Sequence, residues 1–262
     1  MIYIRKRKTP LLIRTAADNI KKDPIYGYST ISLPYNTLKL RELFDMMPKD
    51  DIRENLFKEQ HGICAYCMRR IEPNALSMKI EHYKPLSKDK NASLDYQNYL
   101  GVCYGGEKET DDRKKILCCD ASRGEDDLTI NPWDLRQMEA IGYRKSGEIY
   151  VRENMGLTAK TVVDIQKNID NVLCLNGQMD SQRRIIKDTS TKIVAARRSM
   201  YDSVSTEFER WEKRKCLTSS FLQSKIDSLE NQLKFDNIAQ PFIGVKLYRY
   251  RKKRDSLIRQ HK

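Results

Sequence analysis

The sequence lacks any run of 18 apolar residues, which excludes a conventional membrane-spanning helix. It also lacks a clear signal peptide, because Arg14 interrupts the apolar part of the basic start and no small-residue cleavage site follows. A Gly-x-x-x-x-Gly-Lys-Ser/Thr loop is absent as well, so any nucleotide switch would have to come from a partner protein. We therefore expect a cytoplasmic protein that makes no membrane contact and has no nucleotide-hydrolysing site of its own.

Histidine is scarce and cysteine occurs in an odd number: the 262 residues include three histidines and seven cysteines. An odd cysteine count without a secretion signal argues against a disulfide framework. In a reducing cytosol, clustered cysteines are used more often to bind a metal ion. One of the three histidines, His261, lies in the C-terminal tail, so few histidines remain as candidates for chemistry.

Positive charge is in excess, since 49 lysines and arginines face 36 aspartates and glutamates for a net charge of +13. Such an excess favours polyanionic partners, because each neutralised phosphate releases counterions. The alternative is a generic basic surface that keeps the protein soluble. Apolar residues make up 39% of the chain and charged residues 32%, which is typical of a globular protein with a heavily charged surface.

The residue pattern predicts an α+β fold that is mainly helical. Residues 1–60 form an N-terminal extension that ends in a helix starting near Pro48. Residues 61–135 hold most of the cysteines and nearly all the chemistry. Residues 136–262 begin with a hairpin over Ala140 to Val151 and then turn helical, with Thr158 as a cap.

Two features of the C-terminal region allow more than one interpretation. The segment Lys246 to Lys262 interleaves basic residues with tyrosines, which suits a phosphate backbone but also fits a solvated helix end. Apolar residues recur on one helical face at Leu222, Ile226, Leu229 and Leu233. Such a stripe is either part of the core or a seam for a docking partner.

A first candidate site begins with Cys64-Ala65-Tyr66-Cys67, because two thiolates at this spacing can bind one zinc ion. A second half-site follows at Cys103 and at the pair Cys118 and Cys119, so four thiolates could close a tetrahedral structural site. We prefer Cys119 as the fourth ligand and leave Cys118 open. A redox dithiol is the alternative, but it predicts a thioredoxin-like βαβ context that the sequence does not provide.

Between the two half-sites, alternating residues predict a short strand that ends at Glu81-His82, just before the turn signal at Pro85. Neutral imidazole has a suitable pKa to deprotonate water near neutral pH, so His82 is the candidate general base. Glu81 offers a hard oxygen ligand for a Mg²⁺-like ion.

Four further residues complete the candidate site. The amide of Asn98 could orient His82 by hydrogen bonding across two strands. Asp120 and Arg123 lie three residues apart, so they share a face if the segment is helical. Asp120 could then complete the metal site, and Arg123, together with Lys84, could bind the scissile phosphate.

The order of these motifs resembles that of the HNH (ββα-metal) nucleases: Cys-x-x-Cys, Glu-His-x-x-Pro, Asn, Cys and then Cys-Asp-x-x-Arg-Gly. The chain departs from the generic pattern by the insertion Tyr104 to Cys118, and by Asp120 and Arg123 in place of Asn and Lys. The resemblance implies a zinc-stapled ββα-metal core and an endonuclease that uses Mg²⁺ or Mn²⁺ to hydrolyse phosphodiester bonds of DNA or RNA, tRNA included.

Within that group, the chain is similar to the retron-associated and Septu-type PtuB-like proteins. The likeness covers about residues 60–180 and rests on Gly101-Val102-Cys103-Tyr104-Gly105-Gly106, Cys119-Asp120, Thr129-Ile130-Asn131-Pro132 and Leu173-x-Leu175-Asn176, with Lys8-x-Pro10 fitting outside it. It implies a bacterial antiphage system and a hetero-oligomer with a PtuA-like ATPase. In the retron branch it further implies a reverse transcriptase with its RNA-linked DNA. The competing hypothesis is a zinc-binding nucleic-acid adaptor without catalysis.

Overall fold

Three short antiparallel strand pairs are embedded among helices in the structure, a computed structural model that describes residues 1–108, 115–234 and 238–260. The architecture is α+β and about half helical, as the sequence pattern predicted. The insertion between Tyr104 and Cys118 is therefore described only in part, and His261 lies outside the described residues. None of the described helices combines the length and apolar character that crossing a membrane requires.

The helices vary from one to six turns. In chain order they are α1 (Leu11–Lys22), α2 (Thr37–Asp45), α3 (Lys49–Glu59), α4 (Asp120–Arg123), α5 (Leu135–Ala140), α6 (Ala159–Lys167), α7 (Ile193–Lys213), α8 (Ser219–Gln232) and α9 (Ile243–Gln260). The strands pair with their nearest neighbours in sequence. They are β1 (Lys79–His82) with β2 (Tyr99–Val102), β3 (Ile141–Tyr143) with β4 (Ile149–Val151), and β5 (Gln178–Met179) with β6 (Ile185–Lys187).

The first strand pair holds the candidate site. Strand β1 ends at His82, as predicted, and its register with β2 runs from Lys79 opposite Val102 to His82 opposite Tyr99. The helix α4 follows on the chain and packs on this pair, since Arg123 donates hydrogen bonds to the main-chain carbonyls of His82 and Tyr83. The strand pair β1–β2 and the single-turn helix α4 therefore carry the candidate residues Glu81, His82, Asp120 and Arg123.

Helix α3 joins the N-terminal extension to this strand pair. It begins directly after Pro48, as predicted, and buries Ile52 and Leu56. At its end the buried amide of Gln60 donates to the Gly101 carbonyl and accepts from the Gly101 N–H, both at 2.7 Å. The same amide donates to the Ile63 carbonyl at 3.0 Å. Gln60 thus fixes β2 relative to the turn that carries Cys64.

The predicted hairpin over residues 140–151 is present as β3 and β4, with Ile141 opposite Val151. The predicted cap of the next helix is also confirmed, because the Thr158 hydroxyl accepts from the Thr161 N–H at 3.1 Å. Tertiary packing leaves no room for a side chain at Gly147 in the hairpin turn. A Cβ at this position would lie 2.4 Å from the Val194 carbonyl oxygen.

Helices α8 and α9 pack against each other, and α9 also contacts α7 and β3. Of the predicted apolar stripe, Leu222 and Ile226 are fully buried, so at these positions it serves the chain's own core. Tyr248 and Tyr250 are buried as well. Of the two alternatives for the basic tail, a phosphate backbone against the tyrosines does not fit these two, because both rings pack inside the protein.

Residues from all three predicted segments join one hydrophobic core. The main-chain N–H of Ile4 donates to the Pro132 carbonyl, and the N–H of Phe242 donates to the Met68 carbonyl at 3.1 Å. The first and last parts of the chain thus pack directly against the segment 61–135 that holds the candidate site.

We expect Gln60→Ala to lower the free energy of unfolding by roughly 3 kcal/mol, because it leaves buried main-chain groups of Gly101 and Ile63 without their partners. Chemical denaturation of the metal-loaded protein measures this loss. Gln232→Ala, at an exposed position near the end of α8, is the matched control. Equal stability of the two variants would contradict this structural role of Gln60.

Candidate metal centre and adjoining carboxylate site

Four buried cysteines, Cys64, Cys67, Cys103 and Cys119, form a compact group whose sulfur atoms all lie within 4.8 Å of one another. Cys64 and Cys67 lie in a tight turn, where the Cys64 N–H donates to the Arg69 carbonyl and the Met68 N–H donates back to the Cys64 carbonyl. Cys103 follows the last residue of β2, and Cys119 directly precedes α4. Three separate parts of the chain therefore meet at this group.

The sulfur spacing fits one tetrahedral metal ion. The Sγ–Sγ distances are 3.9 Å for Cys64 and Cys119, 3.6 Å for Cys67 and Cys103, and 3.8 Å for Cys103 and Cys119. A regular tetrahedron with metal–sulfur bonds of about 2.3 Å has edges of about 3.8 Å. A disulfide would need sulfurs about 2.05 Å apart. The four cysteines could thus hold a metal such as zinc, and none is in a disulfide.

The group includes Cys119 and not its neighbour Cys118, in agreement with the preferred ligand set. Cys119 has a positive φ of 58°, which turns the chain sharply before α4. The Cys118 sulfur lies outside the group, 3.5 Å from the Thr191 hydroxyl. Adjacent residues in an irregular turn project in different directions, so the sequence left the two alternatives open.

A buried cation near the cysteine group was missed by the sequence analysis. Arg197 of α7 is fully buried and donates to the carbonyls of Gly147 and Leu175 at 2.7 and 2.6 Å. Burial lowers the pKa of Arg197, whereas Tyr143 and the thiols of Cys67 and Cys118 act in the opposite direction. Four thiolates around a divalent ion would carry a net charge of −2, and Arg197 would supply one compensating positive charge.

His82 is the last residue of β1, and its ring is enclosed. The ring packs edge-on against Phe44 and Tyr99 at centroid distances of 4.5 and 4.9 Å. Its Nε2 lies 3.0 Å from the Ser93 carbonyl oxygen, which can only accept, so Nε2 carries the hydrogen. Burial lowers the pKa of His82 to about 4. The neutral ring therefore keeps an acceptor lone pair on Nδ1, which makes no hydrogen bond within the described part of the chain.

Asn98 supports His82 without touching it. Its side-chain oxygen accepts from the Lys84 N–H at 2.7 Å, and its amide donates to the carbonyls of Lys84 and Ala92 at 3.0 and 3.1 Å. These bonds close the loop between β1 and β2. Because Ser93 follows Ala92, they also fix the carbonyl that holds the His82 ring. The expected direct hydrogen bond from Asn98 to His82 is replaced by this indirect support.

Glu81 and Asp120 form a pair of carboxyl groups whose side chains share a hydrogen bond. Burial, together with the charge and hydrogen bond of Asp120, raises the pKa of Glu81 to about 8. Burial opposes ionisation of Asp120, but hydrogen bonds from Glu81 and Lys79 outweigh it and hold the Asp120 pKa below its usual range. One proton is thus shared where a divalent cation could bind both oxygens.

Arg123 has a different place from the one expected. Only 2% of the residue is exposed. Its guanidinium pairs with Glu81 and donates to the carbonyls of Tyr83 and Asp126, the latter at 2.8 Å. The expectation that Arg123 binds the scissile phosphate is therefore wrong for this conformation, because its donors are taken up inside the protein. Lys84, whose side chain is 65% exposed, remains accessible to a phosphate.

Two further residues at the carboxyl pair were missed. Lys79 forms ion pairs with Asp120 and with Glu107. The hydroxyl of Tyr66 donates to Glu81 at 3.3 Å. Strand alternation could have identified Lys79, because it lies two residues before Glu81 and so shares its face of β1. Tyr66 gave no such signal, since only the fold of the turn brings it to Glu81.

The structure thus brings Glu81 into contact with both Arg123 and Asp120, with His82 at the end of β1 and Asn98 in the segment that leads into β2. Within the described ranges, the four cysteines are the only group of three or more candidate ligands. No protein-family model matches the chain, and no curated protein matches it.

We expect Cys119→Ser to abolish stoichiometric metal binding, because it removes one corner of the tetrahedron. Elemental analysis of protein purified with zinc measures the content, and thermal unfolding measures the loss of stability. Cys118→Ser is the matched control, since it alters a buried neighbouring thiol outside the group. Full metal content in Cys119→Ser, or loss in Cys118→Ser alone, would contradict the assignment.

We expect binding of Mn²⁺ at the carboxyl pair to release a proton, because Glu81 must ionise before it can coordinate. The apparent affinity should rise about tenfold per pH unit and stop rising above the Glu81 pKa of about 8. Calorimetry near neutral pH, in two buffers with different ionisation enthalpies, counts the proton.

Glu107→Gln is the control for this titration, because Glu107 is a more exposed carboxylate that pairs with the same lysine. It should still release the proton, whereas Glu81→Gln should not. Binding heats that are independent of the buffer in the unaltered protein would refute the shared proton.

Proposed function

We propose that this chain is a metal-dependent endonuclease of the HNH type that hydrolyses phosphodiester bonds of DNA or RNA. The observation that supports the proposal is the hairpin β1–β2 with α4, where the buried His82 directly follows Glu81 in the chain and Glu81 pairs with Asp120. The charge of Asp120 acts on both the Glu81 carboxyl and the His82 ring. A base and two hard oxygen ligands at one place fit phosphodiester hydrolysis.

Each residue has a separate role in the proposed reaction. The free Nδ1 lone pair of His82 accepts the proton of the attacking water, while the Ser93 carbonyl holds the ring through Nε2. Glu81 and Asp120 would hold one Mg²⁺ or Mn²⁺ ion, which supplies charge stabilisation to the phosphate and the leaving oxygen. Lys84, which is exposed and lies 3.8 Å from the Asp89 carboxylate, would exchange this ion pair for the substrate phosphate. Asn98 and Arg123 would hold these groups in position without contacting the substrate.

The four cysteines would hold a structural zinc ion. Zinc bound by thiolates contributes on the order of 10–16 kcal/mol to coupled folding in small domains. Here such an ion would join Cys119, and with it α4, to the turn at Cys64 and the end of β2. The catalytic carboxylate Asp120 follows Cys119 directly. Zinc would therefore set the position of the carboxyl pair without taking part in the reaction.

We further propose, from the motif resemblance, that the nuclease is the effector of a bacterial antiphage system of the retron or Septu type. A PtuA-like ATPase would supply the nucleotide switch that the chain lacks as a sequence motif. In the retron branch, a reverse transcriptase and its RNA-linked DNA would complete the hetero-oligomer.

A zinc-bound nucleic-acid adaptor without catalysis is the second candidate. The burial of His82 and Arg123 favours it, because neither side chain is open to a substrate in this conformation. The raised Glu81 pKa and the free Nδ1 of His82 favour the nuclease, since an adaptor has no need of them. The two functions differ in whether the purified protein cleaves.

We expect His82→Ala to lower the cleavage rate by about 10²–10⁴, the usual contribution of a general base. The assay offers duplex DNA, single-stranded DNA and tRNA with Mg²⁺ or Mn²⁺, both with the chain alone and with an ATPase partner. Ser87→Ala is the control that should cleave normally. Ser87 lies in the loop after His82, and its hydroxyl donates to the Glu125 carboxylate.

Metal content and thermal unfolding of His82→Ala separate loss of the base from loss of the fold. Cleavage by His82→Ala at the unaltered rate would refute its role as the base. Binding of nucleic acid without cleavage under every condition would favour the adaptor.

A further inference from the structure

A cleft of about 1180 Å³ lies between the N-terminal segment 1–8 and helix α9, with α5 and β3 contributing to its walls. None of Glu81, His82, Asn98 and Asp120 lines it. It is therefore separate from the proposed nuclease site. Its volume exceeds that of most small-molecule pockets, which measure about 300–1000 Å³.

Most carboxylates of this cleft are already neutralised. Glu59 pairs with Lys6 at 3.1 Å, Glu230 pairs with Arg251 at 2.7 Å, and Asp255 pairs with Arg254 at 2.7 Å. Each pair consists of two residues that line the cleft. The acidic groups thus offer little net charge to a cationic ligand.

Three exposed cations of the same cleft, Arg5, Lys8 and Lys252, have no carboxylate within ion-pair distance in the described part of the chain. Arg5 and Lys8 lie on one wall, and Lys252 of α9 lies on the other. Positive charge on two facing walls attracts a polyanion that runs between them.

The cleft also exposes apolar surface. Tyr3 is 40% exposed and Leu135 is 51% exposed, and both line the cleft beside the basic residues. Inorganic phosphate or a metal ion makes no use of such surface. A nucleic-acid strand does, because its unstacked bases pack on aromatic and apolar side chains while its phosphates contact lysine and arginine.

We propose that this cleft binds a single nucleic-acid strand, with Arg5, Lys8 and Lys252 on its phosphates and Tyr3 against a base. The N-terminal segment leads from the cleft toward the loop of the nuclease site, where Gln97 donates to the Arg7 carbonyl and to the Thr9 hydroxyl. A strand bound along it is thereby directed to the neighbourhood of Asn98. The binding does not depend on cleavage chemistry.

The test measures binding of a fluorescent single strand of about 12 nucleotides by anisotropy, on metal-loaded full-length protein without added Mg²⁺ or Mn²⁺. The triple variant Arg5→Ala, Lys8→Ala, Lys252→Ala should bind roughly tenfold more weakly. Its slope of log affinity against log salt should be shallower by about 2, because three phosphate contacts are lost. Tyr3→Ala should weaken binding about tenfold, and Tyr3→Phe should restore it.

The matched control is Arg14→Ala, Lys145→Ala, Lys160→Ala, which removes the same charge from exposed positions outside the cleft. An equal loss in this control would overturn the proposal, as would tighter binding to duplex of the same length. Retained binding in His82→Ala supports a separate site. If no variant or condition cleaves but the cleft variants lose binding, the nuclease proposal fails and this one stands.

Discussion

The convergence of four thiols is the constraint on which the rest of the site depends. Cys64 and Cys67 come from a tight turn, Cys103 from the end of β2 and Cys119 from the residue before α4. Secondary structure alone would not fix α4, since it is a single turn and isolated helices of that length are unstable in water. A metal ion held by the four sulfurs, whose spacing is close to that of a tetrahedron, would supply the missing restraint.

The position of α4 in turn decides the electrostatics of the carboxyl pair. Asp120 and Arg123 are its first and last residues, and both reach Glu81 on the neighbouring strand. Burial alone would leave Glu81 neutral, and Arg123 alone would ionise it. With Asp120 nearby as well, burial and the second carboxylate prevail and raise the pKa of Glu81 to about 8. A divalent cation would reverse this balance, since it favours both carboxylates in their charged form.

The elements around this site use buried polar groups as structural clamps. Gln60 fixes β2, Asn98 closes the loop after His82, and Arg197 places a cation near the thiols. All three satisfy main-chain carbonyls, and such groups are costly to leave without partners in the interior. The N-terminal segment and α9 pack near these elements, and the basic cleft lies between them.

The sequence by itself determined the local features: the strand ending at His82, the helix after Pro48, the hairpin over 140–151 and the cap at Thr158. These depend on residue periodicity and on turn and capping residues, which act over a few positions. The sequence also determined the cysteine group, although not whether Cys118 or Cys119 belongs to it. Only the tertiary structure decided that choice, the burial of Arg123 and the roles of Tyr66 and Arg197. These depend on contacts between residues distant in the chain, and no local pattern records which side chains the fold brings together.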